Sequence, residues 1–307
     1  MSARSSLSVI LALAATLSLQ TMVFAQNLPI TAASDGTGTL VNQSGNTFNI
    51  TGGTTSSSGA NLFQSFSNFG LNAGQIANFQ SNATIQNILS RVTGGNFSAI
   101  DGLIKVTGSN ANLYLLNPAG IIFGPNATLN VPASFTATTA NAVGFGSQWF
   151  NASGTNNYAA LNGSPTSLAL SMGQPGAIIN GGALSVGPGQ QLSLIGGTVI
   201  STGVLSGGQV NVAAVPGERY VRLGQPGNVL SIEVPVSGGN LPTSWNLPIL
   251  SLPELLAGGS NSQLVVNSNG TVRLAGTASS IQPGDVVVTN AISLAAVSTQ
   301  SLISATG

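Results

Sequence analysis

From residue 176 to residue 236 the chain repeats one texture: a short apolar run, a glycine-rich corner, then another short apolar run. The runs are Ala177-Ile178-Ile179-Asn180, Leu184-Ser185-Val186, Gln191-Leu192-Ser193-Leu194-Ile195, Thr198-Val199-Ile200-Ser201, Gln209-Val210-Asn211-Val212-Ala213 and Val229-Leu230-Ser231-Ile232-Glu233-Val234. The corners are Gly181-Gly182, Gly187-Pro188-Gly189, Gly196-Gly197, Gly203 and Gly207-Gly208. Runs of this kind, closed by Gly, Pro, Asn or Ser, read as strands and turns. They follow one another too closely for helical crossovers. A sandwich, a closed barrel and a solenoid remain as packings.

Charge discriminates among them. A sandwich shows Lys and Glu on its solvent faces and edge strands, yet charged residues make up only 4% of this chain, against about 25% in an average soluble domain. A parallel β-helix stacks coil on coil. Its inward positions form apolar ladders, and its outward positions can carry Ser, Thr and Asn ladders that hydrogen-bond along the stack. Its corners need residues that accept positive φ, and the chain has 40 Gly. The expected class is therefore all-β, as a parallel β-helix whose coil repeat is irregular and whose register stays open. Three segments, 74–78, 84–91 and Leu252-Pro253-Glu254-Leu255-Leu256, are expected to form short helical turns.

The same composition removes most chemistry. With no His and no Cys there is no imidazole base, thiol nucleophile, ordinary zinc site or disulfide framework. No metal or cofactor is expected. A net charge of zero gives no electrostatic footprint for nucleic acid. The carboxylates Asp35, Asp101, Glu218, Glu233, Glu254 and Asp285 are widely spaced, whereas the alternative function, a β-helix polysaccharide lyase or hydrolase, needs acids clustered on one face. Glu218, Arg219 and Arg222, near Tyr220, read as a surface salt bridge. Trp149 and Trp245 read as packing residues. A non-enzymatic protein is expected.

Residues 1–25 carry Arg4, an apolar run over 7–19 and the small-residue ending Val23-Phe24-Ala25. This is a secretory signal peptide with cleavage between Ala25 and Gln26, since its apolar run is too short to span a bilayer. No later segment is long and apolar enough to do so. The product is expected to leave the cytoplasm, and the lack of Cys suits passage through a pore in an extended state. Residues 26–150 form an aromatic-rich block, with Phe48, Phe63, Phe66, Phe69, Phe79, Phe97, Phe123, Phe135 and Phe145, that is expected to cap the first edge of the solenoid. Residues 151–307 continue the coils. Strand-like sequence persists over 285–294 and 301–304, so the chain reads as a fragment or a shortened form of a longer exoprotein.

One stretch carries identity. Ala111-Asn112-Leu113-Tyr114-Leu115-Leu116-Asn117-Pro118-Ala119-Gly120-Ile121-Ile122-Phe123 is a strand, an Asn-Pro-x-Gly turn and a second strand. Pro118 fixes φ, Asn117 can bond its own backbone and Gly120 closes the turn. With residues 46–53, the run Asn61-Leu62-Phe63-Gln64-Ser65-Phe66, the block 85–95 with Arg91, Gly94 and Gly95, and Ile100-Asp101-Gly102-Leu103-Ile104, this order resembles the N-terminal secretion domain of two-partner-secretion exoproteins, the filamentous-haemagglutinin family. The likeness is strong over residues 28–145, and the later coils, including Val212-Ala213-Ala214-Val215-Pro216-Gly217-Glu218, match less specific motifs.

The resemblance implies a right-handed parallel β-helix with an N-terminal cap and extra-helical strands. It implies recognition by the periplasmic domains of a partner outer-membrane β-barrel transporter, then export to the cell surface or medium. Asn117, Pro118, Ala119, Gly120 and Ile121 take the place of the recognition motif, supported by Asn61, Leu62, Phe63, Arg91, Gly94, Gly95, Asp101 and Gly102. The family's usual turn is Asn-Pro-Asn-Gly, so Ala119 departs from it by lacking the second amide. Family members act as adhesins, haemagglutinins, cytolysins or toxin carriers through regions further along the chain, with host or neighbouring cell-surface glycans or proteins as targets.

Overall fold

The computed structural model describes residues 29–223, 231–233, 241–257, 263–290, 292–294 and 300–304. The signal segment and the cleavage position Ala25/Gln26 lie outside the described residues. Three parallel sheets run the length of the molecule, and the chain visits them in rotation. Sheet I holds Asn61–Asn68, Asn87–Val92, Asn112–Leu116, Phe135–Thr138, Gln191–Gly196, Gln209–Ala214 and Gln300–Ser304. Sheet II holds Ser98–Ile100, Ile121–Phe123, Ala177–Asn180, Thr198–Ser201 and Val286–Val288. Sheet III holds Thr47–Gly52, Ile76–Gln80, Leu103–Thr107, Thr128–Asn130, Ala183–Ser185, Val204–Gly207 and Ile292–Leu294. A turn of the chain through I, II and III is one coil of a β-helix.

Stacking fixes the register that sequence left open. In sheet I, Ile88 pairs with Leu113, Leu113 with Phe135, Phe135 with Leu192 and Leu192 with Val210. A polar ladder runs beside these apolar rungs. Asn87 donates to Asn61 (2.8 Å) across 26 residues, Asn112 to Asn87 (2.9 Å) across 25, the Ser134 amide to Asn112 (3.1 Å) across 22, and Gln191 to Gln209 (3.1 Å) across 18. The coil therefore shortens along the stack. Inward residues alternate in sheet III: Ile104 and Val106 point into the core while Leu103, Lys105 and Thr107 point out.

Two long excursions interrupt the rotation. After Phe135–Thr138 the chain builds the hairpin Ala142–Phe145 and Gln148–Asn151, a 3-10 turn at Tyr158–Ala160 and the strand Ser167–Leu170. With Arg219–Arg222 and Ser231–Glu233 these form an antiparallel sheet that covers the outer face of sheet I through Phe63, Leu116, Phe145, Phe150, Leu168 and Val221. The second excursion carries the helix Leu252–Ala257 and a small antiparallel sheet of Leu264–Val266, Val272–Leu274 and Ser280–Ile281. It packs on the outer face of sheet II. The outer residues of sheet III remain half-buried or exposed.

The helical turn at Leu252–Ala257 forms as expected, with Ser251 as its cap: the Ser251 amide and hydroxyl both donate to Glu254 Oε2 (2.8 and 2.6 Å). The other two expected turns do not form. Residues 76–80 and 87–92 are strands, because each is a rung between neighbouring coils and ladder pairing overrides weak local helical preference. The cap also differs in detail. Thr31–Ala32 and Thr54–Thr55 run antiparallel to Asn61–Asn68, and Thr39–Ser44 runs antiparallel to Thr47–Gly52. The aromatics lie beneath this cap as core, with Phe66, Phe69 and Phe79 in mutual contact inside the coil.

Candidate functional site: the corner turn and its neighbours

The Asn117 turn joins Asn112–Leu116 of sheet I to Ile121–Phe123 of sheet II, so it forms one corner of a coil. Its closure is local: the Gly120 amide donates to the Asn117 carbonyl (3.1 Å), and the Ala119 amide donates to Asn117 Oδ1 (3.1 Å). Gly120 has φ 121°, which a side chain would strain. The rest of Asn117 faces its neighbours. Its Nδ2 donates to the Asn96 carbonyl (3.0 Å) and to Ser98 Oγ (2.9 Å) in the preceding coil. Its amide donates to the Thr138 carbonyl (3.0 Å), and the Pro118 carbonyl accepts from the Gly176 amide (3.3 Å). One asparagine thus braces successive corners.

All five residues of this turn are buried. Asn117, Ala119 and Ile121 are 0% exposed, and Pro118 and Gly120 are buried. Ile121 points into the central core, and Leu255 of the outer helix lies over Gly120.

Asn61, Phe63 and Arg91 each meet the first excursion. Asn61 Nδ2 donates to the Leu161 and Gly163 carbonyls (both 2.8 Å). Phe63 packs against Phe145, Phe150 and Tyr158. Arg91, 1% exposed, donates from Nε to Ser65 Oγ (3.1 Å), from Nη1 to the Asn151 and Gly154 carbonyls (2.8 and 2.9 Å), and from Nη2 to Asp35 Oδ2 (2.8 Å). Its guanidinium lies 5.8 Å from the Phe150 ring centre. Partial burial raises the Asp35 pKa, but hydrogen bonds from Ser65, Thr37 and Arg91 outweigh it and bring the carboxyl down to about 2.

The remaining motif residues serve close packing. Leu62 belongs to the central core. Gly94 lies against the Ser67 carbonyl, Gly95 faces Leu247, and Gly102 faces the Gln75 carbonyl. Asp101, a step further round the coil, accepts from the amide and side chain of Asn126 (2.9 and 3.0 Å). The structure sets Asn61, Phe63 and Arg91 along one face of sheet I against the first excursion and holds the Asn117 turn and Asp101 elsewhere.

Sequence reasoning missed Asp35, which it counted as an isolated acid. No local pattern links it to Arg91, 56 residues away. In the Glu218, Arg219 and Arg222 group, Arg219 donates to the Glu218 carbonyl (3.0 Å), and Asp35 with Arg91 forms an ion pair among the described residues. Trp149 packs with Tyr220, ring centres 5.4 Å apart, and Trp245 is 8% exposed in the layer over sheet I.

Asp285 accepts from the Gln282 amide (2.7 Å) and Glu254 caps the helix, so the carboxylates hold turns in separate places. Among the described residues no group of His, Cys, Asp or Glu could hold a metal ion, and no helix is long and apolar enough to cross a membrane.

No curated protein sequence matches the chain. Among solved structures, the crystal structure of the HMW1 secretion domain from Haemophilus influenzae is similar at 21% identity and a TM-score of 0.46, over 69% of this chain and 48% of that one. The chain therefore spans about half the length of that relative. The family model for the TPS secretion domain matches residues 25–247. Those residues include the whole Asn117 corner, the Arg91 cluster and the excursion that covers sheet I, and the chain accordingly belongs to the TPS secretion domain family, as the secretion domain of a two-partner-secretion exoprotein.

Proposed function

We propose that the partner transporter reads the Asn117 turn in the extended chain, before the domain folds. The observation that carries this reading is burial: all five residues from Asn117 to Ile121 are buried in the folded domain. A periplasmic receptor that used these side chains on the folded domain would have to pull the corner out of its stack. On an extended chain, Asn117, Pro118 and Gly120 are accessible and predisposed to turn. The partner under this reading is the periplasmic part of an outer-membrane β-barrel, and the destination is the cell surface or medium.

Folding outside would then hold what has passed. Each emerging coil buries several apolar side chains, a gross gain of several kcal/mol at about 25 cal/mol per Å², and this offsets much of its ordering entropy once a neighbouring coil exists. The scattered carboxylates favour this non-enzymatic role over polysaccharide cleavage, which needs acids together.

The test is a binding comparison. The transporter's periplasmic domain is titrated with the folded mature chain and with the same chain kept unfolded in mild denaturant, each with and without Asn117→Ala. The reading expects binding by the unfolded chain alone, weakened by Asn117→Ala. Equal binding by the folded chain would overturn it, and so would release of the chain from cells that lack the transporter.

A further inference from the structure

We infer that Arg91 is a latch that locks the N-terminal cap only when the first excursion is in place, so that residues 35–163 close as one cooperative unit. The network has three parts that are remote in sequence. Asp35 and Thr37 belong to the cap, Ser65 and Arg91 to adjacent strands of sheet I, and Asn151 and Gly154 to the excursion. Arg91 joins all three with four donated hydrogen bonds. Two further links run in parallel: Thr37 Oγ1 bonds Tyr158 Oη (3.0 Å) across 121 residues, and Asn61 Nδ2 bonds the Leu161 carbonyl across 100.

Charge makes the closure conditional. Arginine stays protonated in proteins, and a charge shut away from water costs free energy unless its donors are hydrogen-bonded. Without residues 151–154, Arg91 Nη1 would lose both acceptors. Without the aromatic layer of Phe145, Phe150 and Tyr158, Phe63 would lose its cover. The cap strands and first coils therefore remain open to water until the chain has been supplied through the excursion. In export, the first hundred or so residues would stay pliable during passage. That consequence rests on the proposed reading of the extended chain, whereas the latch itself does not.

Native-state hydrogen exchange of the full mature chain tests it, with no transporter present. The reporting amides are Ser65, which donates to Thr39 Oγ1 in the cap, Ala152, which donates to the Asn141 carbonyl in the excursion, and Val204, which donates to the Gly182 carbonyl in the later coils. Asn156→Ala removes a side chain that accepts from the Asn151 amide (2.7 Å) and donates to its carbonyl (3.1 Å), the carbonyl that also accepts from Arg91, and so loosens the excursion at its junction with Arg91 while leaving Arg91 and Asp35 in place.

The latch predicts that Asn156→Ala speeds exchange at Ser65 and Ala152 by the same factor, about tenfold, and leaves Val204 unchanged. Acceleration confined to Ala152 overturns it. Adding Asn156→Ala to Arg91→Met should then accelerate Ala152 alone, because the connection is gone. Continued joint acceleration in that background assigns the coupling elsewhere and also overturns it. Should Arg91→Met fail to fold, Asn156→Ala alone decides.

Discussion

The first coils and the coils of residues 177–214 solve the same stacking problem by different means. Between Asn61 and Asn112 successive rungs lie 26 and 25 residues apart, the core holds Phe66, Phe69 and Phe79, and an ion pair between buried Arg91 and partly exposed Asp35 ties coil to cap. Between Gln191 and Gln209 the rung is 18 residues, the core is Leu192, Leu194, Val199, Leu205, Val210 and Val212, and residues 177–214 contain no charged side chain. Their corners are glycines in backbone contact: a Cβ on Gly203 would collide with the Gly182 carbonyl. An end coil needs its own unique contacts because it has a neighbour on one side. An interior coil has two neighbours, so repetition suffices.

Breaking the charge should have the largest effect. Arg91→Met removes four donated hydrogen bonds, to Ser65, Asp35 and two carbonyls, and should cost about 3 kcal/mol, read as a fall in the urea midpoint of the mature chain. A loss below about 1 kcal/mol would mean that the aromatic layer, not the ion pair, holds the first coils. Leu194→Ala, at a 0% exposed site, probes the repeating region and should cost about 2–4 kcal/mol. It should leave exchange at the cap amides unchanged, which separates the two regions. Gly203→Ala should cost about 2 kcal/mol through forced separation of two coils, read from the thermal midpoint.

Acid sharpens the same contrast. Asp35 has a folded pKa of about 2 against about 3.9 unfolded, so its contribution is complete above pH 4 and is lost as pH falls through 2. After screening of its partly exposed carboxylate this is about 1 kcal/mol. Protection relative to the intrinsic exchange rate at each pH should fall between pH 4 and 2 at Ser65 and not at Val204, whose coils carry no titratable group. The smallest effect belongs to the outer face of sheet III, where Lys105→Ala should change stability by less than about 0.5 kcal/mol.

Much of this was legible in the chain. Short runs with Gly-Gly corners and almost no charge led to stacked parallel strands, and the predicted Asn ladder is present at Asn61, Asn87 and Asn112. The segments 74–78 and 84–91 were misread because their helical character is local, whereas their state is set by rungs above and below. The Asn117 turn was legible as a turn. Its burial was not, since that depends on Gly176 and Leu255, which arrive much later in the chain.

Sequence by itself determined the all-β class, the family and the glycine corners, because these rest on composition and on residues adjacent in the chain. Tertiary structure alone decided the coil register, the covering of sheets I and II, and the joining of Asp35 to Arg91 and of Arg91 to Asn151 and Gly154. Those contacts link residues 56 to 63 positions apart. Only the closing of coils and excursions in space brings them within reach, and no spacing along the chain encodes which buried carbonyl a guanidinium will meet.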